Sequence, residues 1–157
     1  MNSYMEQKWS WIEGTHGMRT ELLASLTDAD LAFNPGGQNI SFGALFRELG
    51  EIEHSYVQSL KTFNQDWSYR NTEAGLDGSI ARLQAWYQTL DDQMKETVSA
   101  FSEDDLKKMV KRGEYGFPAE TQLDVYLQAT LIFFGKAVIY LKAMNKPLSK
   151  TMQDYIG

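Results

Sequence analysis

The chain has 157 residues with no cysteine, only two histidines, and 21 acidic against 15 basic side chains, for a net charge of −6. This is the composition of one ordinary globular domain, and it excludes disulfides, thiol chemistry and the usual structural zinc sites. The acidic balance also argues against non-specific nucleic-acid binding, which needs a basic footprint.

Met1 to Trp11 is polar and interrupted by Glu6 and Lys8, so it does not read as a signal peptide. The longest apolar window, Val125 to Ala143, is broken by Lys136. No membrane span is therefore predicted, and the cytoplasm is the expected compartment.

Met5 to Leu26 is predicted as a first helix, because Met5, Trp9, Ile12, His16, Arg19, Leu23 and Leu26 recur on one helical face. Two members of that stripe, His16 and Arg19, are polar. Thr27 to Leu31 reads as a capped turn, and Asn34-Pro35-Gly36-Gly37 breaks the chain. Ser41 is the expected N-cap of a second helix running to Phe63, with Phe42, Leu45, Leu49, Ile52, Tyr56, Leu60 and Phe63 inward.

Asn64 to Gly78 is a crossover, longer than an ordinary helix–helix turn. Its Trp67, Tyr69 and Arg70 either anchor it to the core or form a lid, and anchoring is the commoner arrangement. Ser79 to Phe101 is the third helix, with Ile80, Leu83, Trp86 or Tyr87, Leu90, Met94, Thr97 and Val98 inward. Gly113 to Pro118 is a second break. The fourth helix runs from Ala119 to Asn145, where Pro147 ends it, and the last residues form a tail.

Leu26-Thr27-Asp28-Ala29-Asp30-Leu31 and Phe101-Ser102-Glu103-Asp104-Asp105-Leu106 share an apolar-hydroxyl-acid-x-Asp-Leu pattern. Each closes a long helix ahead of a glycine- or proline-bearing loop and another helix. The layout predicts two helical hairpins related by a pseudo-twofold and joined by the crossover. No stretch alternates with a period of two, so an all-α four-helix bundle forming a single domain is expected.

Three segments of the chain resemble the DinB-like (YfiT-like) family of helical bundles. Ser41-Phe42-Gly43-Ala44-Leu45-Phe46-Arg47-Glu48-Leu49-Gly50-Glu51-Ile52-Glu53 is similar to the opening of its second helix. Gly135 to Pro147, with Tyr140-Leu141-Lys142 inside it, is similar to the ending of its last helix. The first helix with its Leu-Thr-Asp-Ala-Asp-Leu exit is the third.

The resemblance implies this bundle fold, and often a divalent nickel or zinc held by three histidines, one on the second helix and two on the last. Carried over, those positions are Glu48, Ala129 and Phe133, and one carboxylate does not make a metal site. A branch without metal or other cofactor is expected. Family members are often dimers.

Glu51-Ile52-Glu53-His54 matches the Glu-x-x-His of di-iron bundles, but no second copy exists, and the helical wheel places His54 away from the apolar stripe. Glu48 lies at the edge of that stripe and needs a cation. Lys136 or Arg19 is expected to take the charge role of the metal, with His16 and Tyr140 nearby.

The candidate pocket is thus Glu48, Lys136, Arg19, His16 and Tyr140. The reading that follows is a small-molecule-binding or non-catalytic bundle. The alternatives are a metal-independent transferase or hydrolase using those five residues, and an atypical metal site of carboxylates with His16. A second apolar stripe on the last helix, Val125, Ile132, Ile139 and Ala143, is expected to pack either within the bundle or in a homodimer.

Overall fold

A computed structural model describes residues 1–156. In chain order the elements are α1 (Ser3–Gln7), α2 (Trp9–Ala24), α3 (Phe42–Thr62), α4 (Ile80–Ser99), α5 (Glu103–Lys107), β1 (Met109–Arg112), β2 (Tyr115–Pro118), α6 (Ala119–Ala143) and α7 (Lys150–Ile156). The four long helices α2, α3, α4 and α6 form the expected bundle. Ser41 caps α3 through the Ala44 N–H and Ser79 caps α4 through the Arg82 N–H, each satisfying a free donor of the first turn.

The packing order is not that of side-by-side hairpins. Both α2 and α3 pack against α4 and α6. α2 and α3 therefore face each other across one diagonal of the bundle and α4 and α6 across the other, while α3 and α4 are neighbours. The internal echo is preserved in local detail: Thr27 with Asp30, and Ser102 with Asp105, each form a reciprocal capping box, and Leu31 and Leu106 are both buried.

Three sequence expectations are corrected. The first helix is two pieces, because the chain bends at Lys8, where Asn2 reaches the Val98 and Phe101 carbonyls at the end of α4. The break at Gly113 to Pro118 is the second half of a β-hairpin, Met109 pairing with Pro118 and Arg112 with Tyr115. Gly113, at φ 71°, opens its two-residue turn in the left-handed region that such turns require. The hairpin docks on the end of α3 through Gln65 and Phe63, which bond to the backbone of Lys111. Finally, the tail holds α7, whose Met152 is buried in the core.

The Ser-Phe-Gly opening of α3 has a packing reason. A Cβ on Gly43 would sit 1.8 Å from the Asp77 carbonyl oxygen, so only glycine admits this approach of the crossover. Tyr87 faces inward, while Trp86 lies partly buried over Gly50. α6 is long and apolar enough to cross a membrane by length and composition, but it lies in the bundle with Leu123, Tyr126, Phe133, Phe134, Ala137 and Leu141 buried.

The core is two apolar clusters stacked along the bundle axis. One gathers Leu22, Phe46, Leu49, Tyr87 and Phe133, and the other Ile12, Tyr56, Met94, Leu123 and Tyr126. On every long helix the change from one cluster to the other falls at a polar or ionisable residue.

Candidate functional site

The boundary between the clusters is a buried ionic layer built by all four long helices. Arg19 of α2, 1 % exposed, spans it. One guanidinium nitrogen donates to both carboxylate oxygens of Glu53 on α3, at 2.7 and 2.8 Å. The other donates to both oxygens of Asp91 on α4, at 2.7 and 2.6 Å. The guanidinium also lies over the Tyr87 ring, 4.0 Å from its centroid.

His16 adds a branch, with Nδ1 3.1 Å from Asp91 and Nε2 2.6 Å from the Tyr126 hydroxyl on α6. Burial, with Arg19 nearby, pushes His16 well below the usual histidine range, so the ring is neutral. A carboxylate can only accept, which places the proton on Nδ1 and makes Nε2 the acceptor of the Tyr126 hydroxyl.

Burial drives Glu53 up to about 7, against the pull of Arg19. Burial likewise raises Asp91, which is partly exposed. Arg19 itself is held above its ordinary value: burial alone would lower it, and Glu53 and Asp91 more than offset that. These directions agree. One cation shared between two carboxylates is firmly charged, yet it leaves one negative charge of the three uncompensated.

The other predicted residues lie elsewhere. Glu48 of α3 and Lys136 of α6 are 3.9 Å apart and about half exposed, a loose pair at the surface. Arg19 does not reach Glu48; its carboxylates are Glu53 and Asp91. The Tyr140 hydroxyl donates to the Ile40 carbonyl at 2.8 Å, tying α6 to the segment before α3. The five-residue pocket is therefore two places, Arg19 and His16 in the buried layer and Glu48 and Lys136 at the surface, with the Tyr140 ring buried in the core beside the latter pair.

Glu53 and Asp91 are absent from the sequence-derived set, although each stands four residues from an inward residue, Leu49 or Tyr87. An inward arginine demands carboxylates, and both lie at helical spacing from an inward residue, but Glu48 meets that rule as well.

The outer place is a groove between α3 and α6. Glu48, Ala129 and Phe133 line one apolar hollow of about 220 Å³, together with Leu45, Leu49 and Lys136. The three positions named by the family resemblance thus converge in space. Their donor set does not fit a divalent metal: one carboxylate, a methyl and a phenyl ring, with an ammonium beside them. Among the described residues no three His, Cys, Asp or Glu side chains come together to hold one. Glu48 and His16 lie in different places, and the carboxylate beside His16 is Asp91.

Glu48 also lines a hollow of about 250 Å³ reaching Tyr140 and Ile139, and an open cleft of about 670 Å³ along α3. The cleft is walled by Arg47, Glu51, Ile52, Ser55 and, from the crossover, Trp67 and Arg70.

The crossover is anchored at several points. Glu51 accepts from the Asn71 N–H at 3.0 Å, and Tyr69 stacks on His54 with centroids 3.6 Å apart. His54 is thus half-covered by that ring. Of the second apolar stripe, Ile132 and Ile139 are 63 % and 62 % exposed and stand on the groove rims.

The model of the DinB superfamily matches residues 12–130, a stretch that holds Arg19, Glu48, Glu53 and Asp91 and ends before Phe133 and Lys136. Among solved structures, a DinB-like protein of Bacillus subtilis, YjoA, is similar with a TM-score of 0.72 and 14 % identity, over 90 % of this chain and 95 % of that one. At that identity the likeness is one of fold. No curated protein matches the chain.

Proposed function

Because the chain belongs to the DinB superfamily, we propose that it works in the place where the family's second and last helices meet, as a small-molecule-binding bundle that uses no metal. The observation carrying this reading is Glu48, which lines three adjoining hollows, the largest of about 670 Å³, a size suited to a small ligand. Apolar walls from Leu45, Ile52 and Phe133 supply binding area, while Glu48, Lys136 and Arg70 supply orientation. The catalytic alternative draws no support from the inner layer, where both ring nitrogens of His16 are already engaged.

The test is amide NMR with 1-naphthamide as the probe. Shifts are expected at Glu48, Glu51, Ser55 and Trp67, and Ile52→Trp, which fills the cleft, should abolish them while leaving the fold intact. Shifts elsewhere, or shifts that survive Ile52→Trp, would overturn the reading.

A homodimer is part of the same proposal. Its support is the pair of exposed isoleucines on the groove rims, over which a second copy would roof the groove. Light scattering should find a dimer that Ile132→Glu with Ile139→Glu turns into a monomer; a monomeric wild type at the highest soluble concentration would refute it.

A further inference from the structure

Among the described residues Arg112 has no acidic partner. Arg19, Arg47, Arg70 and Arg82 each have a carboxylate within 4 Å, whereas among the described residues Arg112 has none. That is unexpected in a chain with 21 acidic and 15 basic residues. The guanidinium is half-buried on β1, its carbon 5.7 Å from the Tyr56 ring centroid and 5.5 Å from those of Trp67 and Phe117.

It donates one hydrogen bond, to the Tyr56 hydroxyl at 3.2 Å, and its buried Nε has no partner. A guanidinium carries five N–H groups. An aromatic cage orients such a group and compensates only part of its charge. Desolvated cations without a counter-charge are costly, and a binding site is one reason to keep one.

Trp67 connects this residue to the cleft, since its indole is both a cleft wall and a member of the Arg112 cage. The groove and cleft are lined by three cations, Arg47, Arg70 and Lys136, against two acids, Glu48 and Glu51. Of these cations only Arg47 is tightly paired, at 2.9 Å to Asp77. Arg70 and Lys136 approach their acids only to 3.8 and 3.9 Å, at exposed positions. The cleft's own cations and acids balance, which leaves Arg112, beyond its Trp67 wall, as the cation without a carboxylate among the described residues.

We propose that the ligand of this cleft is a small apolar molecule carrying an anionic group, a carboxylate or phosphate, and that Arg112 receives that group at the Trp67 end. Arginine suits the task, because its planar fork matches either anion in a bidentate manner. The inference rests on the cleft being a ligand site. It adds a class of ligand and a residue, on the hairpin, outside the positions named by the family resemblance.

The experiment compares 1-naphthoate with its neutral analogue 1-naphthamide by calorimetry and amide NMR. Naphthoate is expected to bind about tenfold more tightly, the worth of one charge-assisted contact. Arg112→Met should erase that preference, so that naphthoate and naphthamide bind with equal affinity, and Arg112→Lys should restore part of it. Added salt should weaken naphthoate alone.

Equal affinity for the two compounds, or a preference that survives Arg112→Met, overturns the anion assignment and leaves the cleft reading standing. No shift at α3 with either compound overturns both. If Arg112→Met does not fold, Arg112→Lys and the salt dependence of the wild type decide. Phenyl phosphate run in parallel tells whether phosphate or carboxylate is preferred.

Discussion

Arg19→Ala is expected to lose about 3–5 kcal/mol of unfolding free energy, the cost of leaving a buried carboxylate without its partner. Glu53 is 1 % exposed and, among the described residues, has only this guanidinium as a cation, while Asp91 would keep the His16 N–H and some water. Truncation also opens a cavity beside Tyr87, where the guanidinium now packs.

Urea unfolding followed by circular dichroism measures the loss. Arg19→Met combined with Glu53→Gln and Asp91→Asn removes all three charges together and should lie closer to wild type, because the desolvation cost disappears with them. An Arg19→Ala protein within about 1 kcal/mol of wild type would mean that the layer is open to water.

Glu53→Gln is expected to gain stability relative to wild type as pH rises. The sign follows from proton binding. Glu53 has a folded pKa of about 7 against an ordinary 4.5, so between those values the native state holds more protons than the unfolded chain. Its favourable contribution is complete below about pH 4.5 and is lost as pH passes through about 7. Asp91 moves in the same direction.

His16 runs the opposite way: its folded pKa is depressed, so it costs stability as pH falls below its ordinary 6.5. The difference between Glu53→Gln and wild type cancels His16 to first order. That difference should swing toward the variant by on the order of 3 kcal/mol from pH 4.5 to 8. Unfolding curves at a series of pH values check this. A flat difference, or one of opposite slope, would place Glu53 in its ordinary range with Arg19 fully compensating it. Because the two carboxylates share one cation, adding Asp91→Asn should shrink the swing.

Much of the bundle was legible because amphipathic periodicity is local. The inward stripes of α2, α3 and α4 emerged from spacing alone, and Ser41 and Thr27 marked starts through capping chemistry confined to one turn. His16 and Arg19 were correctly read as facing inward. The hairpin was signalled by Gly113-Glu114 between short apolar runs, but two four-residue strands alternate too briefly to outweigh a loop reading. The bend at Lys8 has no glycine or proline to announce it; its cause is the far end of α4.

The candidate site divides in the same way. One chain segment determines which residues its helix turns inward, because that depends on a rotation of about 100° per residue. Ile52 and Glu53 both satisfy the spacing after Leu49, and only the neighbouring helices decide that Glu53 meets Arg19 while Ile52 opens onto the cleft. Likewise Arg19 was compatible with Glu48 on a helical wheel. The diagonal placement of α2 and α3, and the register at which their side chains interdigitate, assigned it to Glu53. Composition and periodicity thus determined a bundle with charge inside it. Packing between segments far apart in sequence decided which charges meet, and left Arg112 without a carboxylate among the described residues.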